Sequence, residues 1–106
     1  MPFDGAELNE TATTLLRARQ YLVERGWCKG AFGDDGSPRC MVGAILSATG
    51  ARGCFDPLIL GAMRALKSVT GSPGTVVGWN DAPDRTEQEV LDAFDRAAAI
   101  AHSEAL

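Results

Sequence analysis

Four stretches of the chain carry apolar residues at a helical period. From Asn9 to Arg25, Ala12, Leu15, Leu16, Ala18, Leu22 and Val23 fall near the i, i+3, i+4, i+7 spacing of one face, while Arg17, Gln20 and Glu24 occupy the other. Asn9 or Thr11 can cap its start, and Gly26 supplies a left-handed stop. Met41 to Ala48 is apolar on nearly every side, the pattern of a short helix at the centre of a core, ended by Gly50. Asp56 as N-cap and Pro57 at the first helical position open a third helix, with Ile59, Ala62, Met63 and Leu66 as its stripe and Arg64 and Lys67 on its outer side. Thr86 and Glu89 make a capping box for the last helix. There Val90, Phe94, Ala97 and Ala101 repeat at heptad spacing, Leu91 and Ala98 widen the stripe, and Asp92 is expected to pair with Arg96.

The intervening stretches read differently. Two short runs, "WCKGAF" and "PRCMV", flank Gly33-Asp34-Asp35-Gly36-Ser37, whose Asp-Gly pair favours a tight turn, so a small β-hairpin is expected. "TGSPG", residues 70–74, reads as a loop, and the β-branched run Thr75-Val76-Val77 reads as extended. The sequence therefore predicts a mainly α (α+β) fold: a four-helix single domain over residues 1–106 with a small β-hairpin/short-strand element, residues 1–8 forming a flexible polar lead. If the run 75–79 lies beside the hairpin, Trp27 and Trp79 come close together.

Composition narrows the function. The 106 residues are 45% hydrophobic and 23% charged, a globular balance. A net charge of −4 with ten scattered Lys and Arg residues speaks against nucleic acid as a partner, because phosphate contacts need a concentrated basic surface. No apolar run reaches the ~20 residues of a membrane span, and the first residues lack the pattern of a signal peptide, so a cytoplasmic protein with no membrane partner is expected. Three cysteines in a reducing compartment are expected as thiols.

No catalytic constellation assembles from the motifs. Cys28, Cys40 and Cys54 are separated by eleven and thirteen residues, with no C-x-x-C knuckle and only His102 to help, which speaks against a metal. No G-x-S-x-G elbow and no phosphate-cradling glycine motif occurs, and no cofactor is expected. A helix-turn-helix fits poorly because a recognition helix opening Pro57-Leu58-Ile59 offers bases few hydrogen bonds. The remaining candidate binding residues are Trp79, Asn80, Asp81 and Arg85 in "GWNDAPDR", with Trp27 beside them if the two runs meet. An aromatic anchor among polar groups on a loop suits a docking site. The competing reading plugs Trp79 into the core and lets Asn80 and Asp81 bond to their own backbone.

Taken together, "ATTLLRAR" with "ERGWCKGAF", "RCMVGAI", and "VVGWNDAPDRTEQEVLDAFDRAA" resemble a family of small uncharacterised proteins of actinobacteria and their phages. The resemblance covers Ala12 to Ala98 and is carried by two motifs, GW-C-x-GA (Gly26, Trp27, Cys28, Gly30, Ala31) and WND-x-P-x-R-T (Trp79, Asn80, Asp81, Pro83, Arg85, Thr86). It implies a compact helical cytoplasmic domain, with a phage or mobile-element origin open, and carries over no site. The leading expectation is a non-enzymatic protein–protein interaction module, its partner another protein. A small enzyme or ligand-binding domain built on Trp79, Asn80, Asp81 and Arg85, with Cys28 as a further candidate, is the alternative, and a nucleic-acid regulator the third. The heptad seam of the last helix is compatible with a homodimer.

Overall fold

The computed structural model describes residues 9–31, 33–34, 36–50, 56–71 and 75–104. Among the described residues five helices follow one another: α1 (Glu10–Arg25), α2 (Met41–Ala48), α3 (Pro57–Thr70), α4 (Val76–Asn80) and α5 (Glu87–Glu104). The flexible lead expected at 1–8, Cys54 and most of the loop at 70–74 lie outside the described residues.

α1 starts directly after Asn9, whose extended backbone makes it the N-cap. Its Oδ1 accepts the Ala12 N–H at 2.7 Å, satisfying one orphan donor of the first turn. Its Nδ2 donates to the Ala101 carbonyl at 2.8 Å, tying the start of α1 to the end of α5. Inward, Ala12, Leu15, Ala18 and Leu22 are fully buried. Leu16 and Val23 fall off that stripe and are exposed, which narrows the expected apolar face.

α1 packs against α5 and α2, and α3 lies across α5. On α5 the buried row is Val90, Ala93, Phe94, Ala97, Ala98 and Ala101, so one large ring among alanines lets its neighbours approach closely. The heptad seam that could have served a homodimer is thus consumed by the chain's own core. The capping box forms as expected, the Thr86 N–H donating to Glu89 Oε1 at 2.9 Å and the Glu89 N–H to Thr86 Oγ1 at 3.2 Å. Asp92 accepts from Gln88 Nε2 at 2.8 Å, and an ion pair from the middle of this helix reaches across to α1, from Asp95 to Arg19 at 2.9 Å.

Two expectations of extended structure are corrected. Among the described residues there is no hairpin; the two runs meet in one isolated bridge, Trp27 to Arg39, and it is parallel. A tight Asp-Gly hairpin would bring them together antiparallel. Here the loop between them is drawn wide by tethers at both ends, described below, and the chain returns in the same direction. Gly26 ends α1 with φ 102° and ψ 161°, a positive-φ turn but not the left-handed helical stop expected of it.

The second correction is the strand at 75–79, which is the short helix α4. Thr75 Oγ1 accepts the Gly78 N–H at 3.0 Å, the N-cap arrangement that lets Val76 and Val77 continue as helix despite their β-branching. Val76 is buried against the core. Tertiary packing overrides propensity in a run this short.

Candidate functional site

The two motifs meet at one point, the side chain of Asn80. It is 1% exposed and uses its full hydrogen-bonding capacity, two donors and two acceptor lone pairs. Its Oδ1 accepts from Trp27 Nε1 at 2.7 Å and from the Met41 N–H, the first residue of α2, at 3.1 Å. Its Nδ2 donates to the Cys28 carbonyl at 3.1 Å and to Asp81 Oδ1 at 2.9 Å. One amide thus joins α4, the start of α2 and the extended run after α1, three segments far apart in sequence.

Asp81 extends the joint by accepting the Gly30 N–H at 2.9 Å. Lys29 crosses the same gap in the other direction: its Nζ donates to the carbonyls of Ala82 and Pro83 at 2.8 and 3.0 Å and stands 5.5 Å from the centre of the Trp27 ring. At the far end of the loop, Tyr21 on α1 holds the turn. Its hydroxyl accepts the Gly36 N–H at 2.7 Å and donates to the Ser37 carbonyl at 2.7 Å. These are the two tethers that spread the loop.

Arg85 closes the second motif. Its guanidinium lies 3.6 Å from the centre of the Trp79 ring, its Nε donates to the Trp79 carbonyl at 2.9 Å, and its Nη1 pairs with Glu89 Oε2 at 3.3 Å. The stacked pair locks the turn between α4 and α5.

The expected binding residues therefore fall into place as follows. Trp27, Asn80 and Asp81 come together, Trp79 and Arg85 form a neighbouring pair, and Trp27 bonds to the residue next to Trp79. Both tryptophans are half-buried. Asn80 and Asp81 bond to each other and to distant partners, not to their own backbone as the competing sequence reading had it. Polar capacity at this joint goes into holding segments together, which leaves little for a substrate. Beside it, Gly30, Ala31, Cys40, Val77 and Asp81 line a shallow cleft of about 260 Å³.

The ionisable groups follow the same pattern. The Gly30 N–H, then the Asn80 amide, hold the Asp81 carboxyl below its ordinary value of 3.8, and the Thr86 N–H holds Glu89 below 4.5. A lowered carboxyl stabilises the fold above its unfolded value and loses that contribution as pH falls through the folded one. Acid is therefore expected to loosen the joint below about pH 3.8. The urea midpoints of the wild type and of Asp81→Asn should differ at pH 6 and converge toward pH 3; a gap unchanged across that range would contradict the assignment. Burial pushes the Cys28 thiol above its ordinary value of 9.0, so only a small share is thiolate at neutral pH and its attack on a disulfide is slow there. No group of three or more His, Cys, Asp or Glu able to hold a metal occurs among the described residues.

A second surface escaped the sequence reading. On α3, Leu60 stands off the buried stripe and is 43% exposed. With Met63, Arg64, Lys67, Thr75 and Val76 it lines a groove of about 410 Å³. Leu60 directly after the inward Ile59 carried no clear signal for it, since adjacent helical residues can both be buried, as Ala65 and Leu66 are on this same helix. Among the described residues no helix is long and apolar enough to cross a membrane.

A family model described as "Family of unknown function (DUF6197)" matches residues 6–100. No curated protein and no solved structure matches the chain.

Proposed function

The chain belongs to that family of unknown function, and we propose that it is a non-enzymatic protein-interaction module that docks an acidic, amphipathic segment of another protein on the groove of α3. The observation that carries this reading is the make-up of the groove. Leu60 and Met63 offer apolar surface, and Arg64 and Lys67 stand exposed over it with no carboxylate bound among the described residues. In a chain of net charge −4, an apolar strip edged by two free cations selects a partner with the opposite charge. Helix-in-groove recognition supplies such a partner through apolar anchors at i, i+3/i+4 and i+7 with acidic residues between them. A cytoplasmic setting, and a bacterial host protein as the partner of a phage- or mobile-element-borne chain, fit the resemblance noted above.

Amide chemical-shift mapping tests the reading with two synthetic peptides, one carrying leucines at helical spacing interleaved with glutamates, the other its lysine-substituted counterpart. The acidic peptide is expected to shift amides of residues 60–67 and 75–76. Arg64→Glu with Lys67→Glu should weaken its binding at least tenfold, which is about 1.4 kcal/mol. Shifts centred elsewhere, or equal binding of the lysine peptide, would overturn the assignment.

A further inference from the structure

We propose that Cys28 and Cys40 form a redox modification site, closing into an intramolecular disulfide by exchange with a low-molecular-weight disulfide that meets the half-buried Cys28 first. The register carries the inference. The Arg39 N–H donates to the Gly26 carbonyl at 3.2 Å and the Cys28 N–H donates to the Arg39 carbonyl at 3.1 Å, the pattern of a parallel bridge centred on Trp27 and Arg39. One residue further along both runs stand Cys28 and Cys40, on the same face. The Asn80 amide, seated between the Cys28 carbonyl and the Met41 N–H, opens the two runs beyond the cysteine pair, and at the bridge just before it they stand at the strand spacing of about 4.8 Å. That falls inside the Cα separation a disulfide spans, ~4.4–6.8 Å.

Access and commitment favour the pair as well. Cys28 is half-buried, and its Sγ makes only long contacts, to the carbonyls of Ala31 at 3.5 Å and Pro38 at 3.6 Å, which are readily given up. Cys40 is 1% exposed, lines the cleft, and its Sγ accepts the Gly43 N–H at 3.4 Å. The Cys28 thiolate attacks one sulfur of the small disulfide and expels the other as a thiolate, giving a mixed disulfide. The Cys40 thiolate then attacks the Cys28 sulfur and expels the second small thiol. Two protein thiols are oxidised by two electrons, and one small disulfide is reduced to two thiols.

The groups facing Cys28 are Cys40 and Asp81, which disfavour its thiolate, and Arg39, which favours it, with burial the largest influence. Exchange should therefore quicken roughly tenfold per pH unit between 7 and 9, in step with the thiolate fraction.

The test uses the full chain carrying Cys54→Ser, incubated with oxidised glutathione. The expected product has lost two hydrogens, yields a single Cys28–Cys40 cross-linked peptide, and melts on the order of 10 °C higher, an increase that dithiothreitol reverses. Adding Cys40→Ser, which keeps an N-cap oxygen for α2, should stop the reaction at a glutathione adduct on Cys28. A persistent adduct on Cys28 with Cys40 present, a cross-link between two molecules, or no change in mass would each overturn the proposal.

Discussion

Asn80→Ala is expected to destabilise the protein by about 3–4 kcal/mol, the largest effect of any polar substitution in the chain. The substitution strips four hydrogen bonds at once. The Trp27 indole N–H, the first N–H of α2 at Met41, and the Cys28 carbonyl all lose their partner, and Asp81 loses one of its donors. An unsatisfied buried polar group costs roughly 1–3 kcal/mol, and Asn80 leaves three behind in a site it fills almost completely. Water reaching the half-buried Trp27 offsets part of this, which is why the estimate stays below the full sum. Asn80→Asp separates packing from hydrogen bonding. It keeps the acceptor for Trp27 and Met41 but loses the donor and sets a second carboxylate against Asp81, so its deficit should shrink toward acid. Urea denaturation with both variants checks the pair; a loss below about 1 kcal/mol for Asn80→Ala would show that the joint is dispensable.

Gly33→Ala should cost about 2–4 kcal/mol, from two sources. Gly33 has φ 77°, a left-handed conformation that an alanine pays roughly 1–2 kcal/mol to adopt. A Cβ built there also runs into the Pro38 carbonyl oxygen and presses on Arg39, both fixed by the bridge to Trp27. The loop must then lift off the run 38–40, disturbing the start of α2. By contrast, Gly36→Ala meets open space, though it too has a positive φ, 87°, so it should lose only the conformational part. Comparing the two by thermal unfolding isolates the clash. Equal losses would mean that the loop rides free of Pro38.

Where the sequence was legible, the reason is local. α1, α3 and α5 announce themselves through 3.6-residue periodicity and through caps at Asn9, Asp56 and Thr86, and α2 through a short run apolar on nearly every side, all signals contained within a few residues. α4 was not legible because Thr75-Val76-Val77 favours a strand on its own, and the choice of helix depends on one side-chain cap and on Val76 meeting the core. The bridge between Trp27 and Arg39 was misread because the Asp-Gly signal is local, while the forces that widen the loop come from Tyr21 on one side and from Asp81, Ala82 and Pro83 on the other. The closeness of the two motifs was visible as two tryptophans expected near one another. That a single asparagine links them was not, since a lone Asn beside a Trp carries no record of a donor more than fifty residues away. The groove on α3 was hidden for a simpler reason: an exposed leucine and two surface cations are unremarkable one at a time and become a surface only when the 75–76 segment is placed beside them.

The claim that the two motifs form a structural joint is tested most directly by a double-mutant cycle on Trp27→Phe and Asn80→Ala, with stability read from urea unfolding. Phenylalanine keeps the ring's packing and removes the N–H that reaches Asn80 Oδ1 at 2.7 Å. A coupling energy of about 1 kcal/mol or more is the expected result. Losses that add within about 0.3 kcal/mol would contradict it, and would return Trp27 and Asn80 to the list of residues free to serve a ligand.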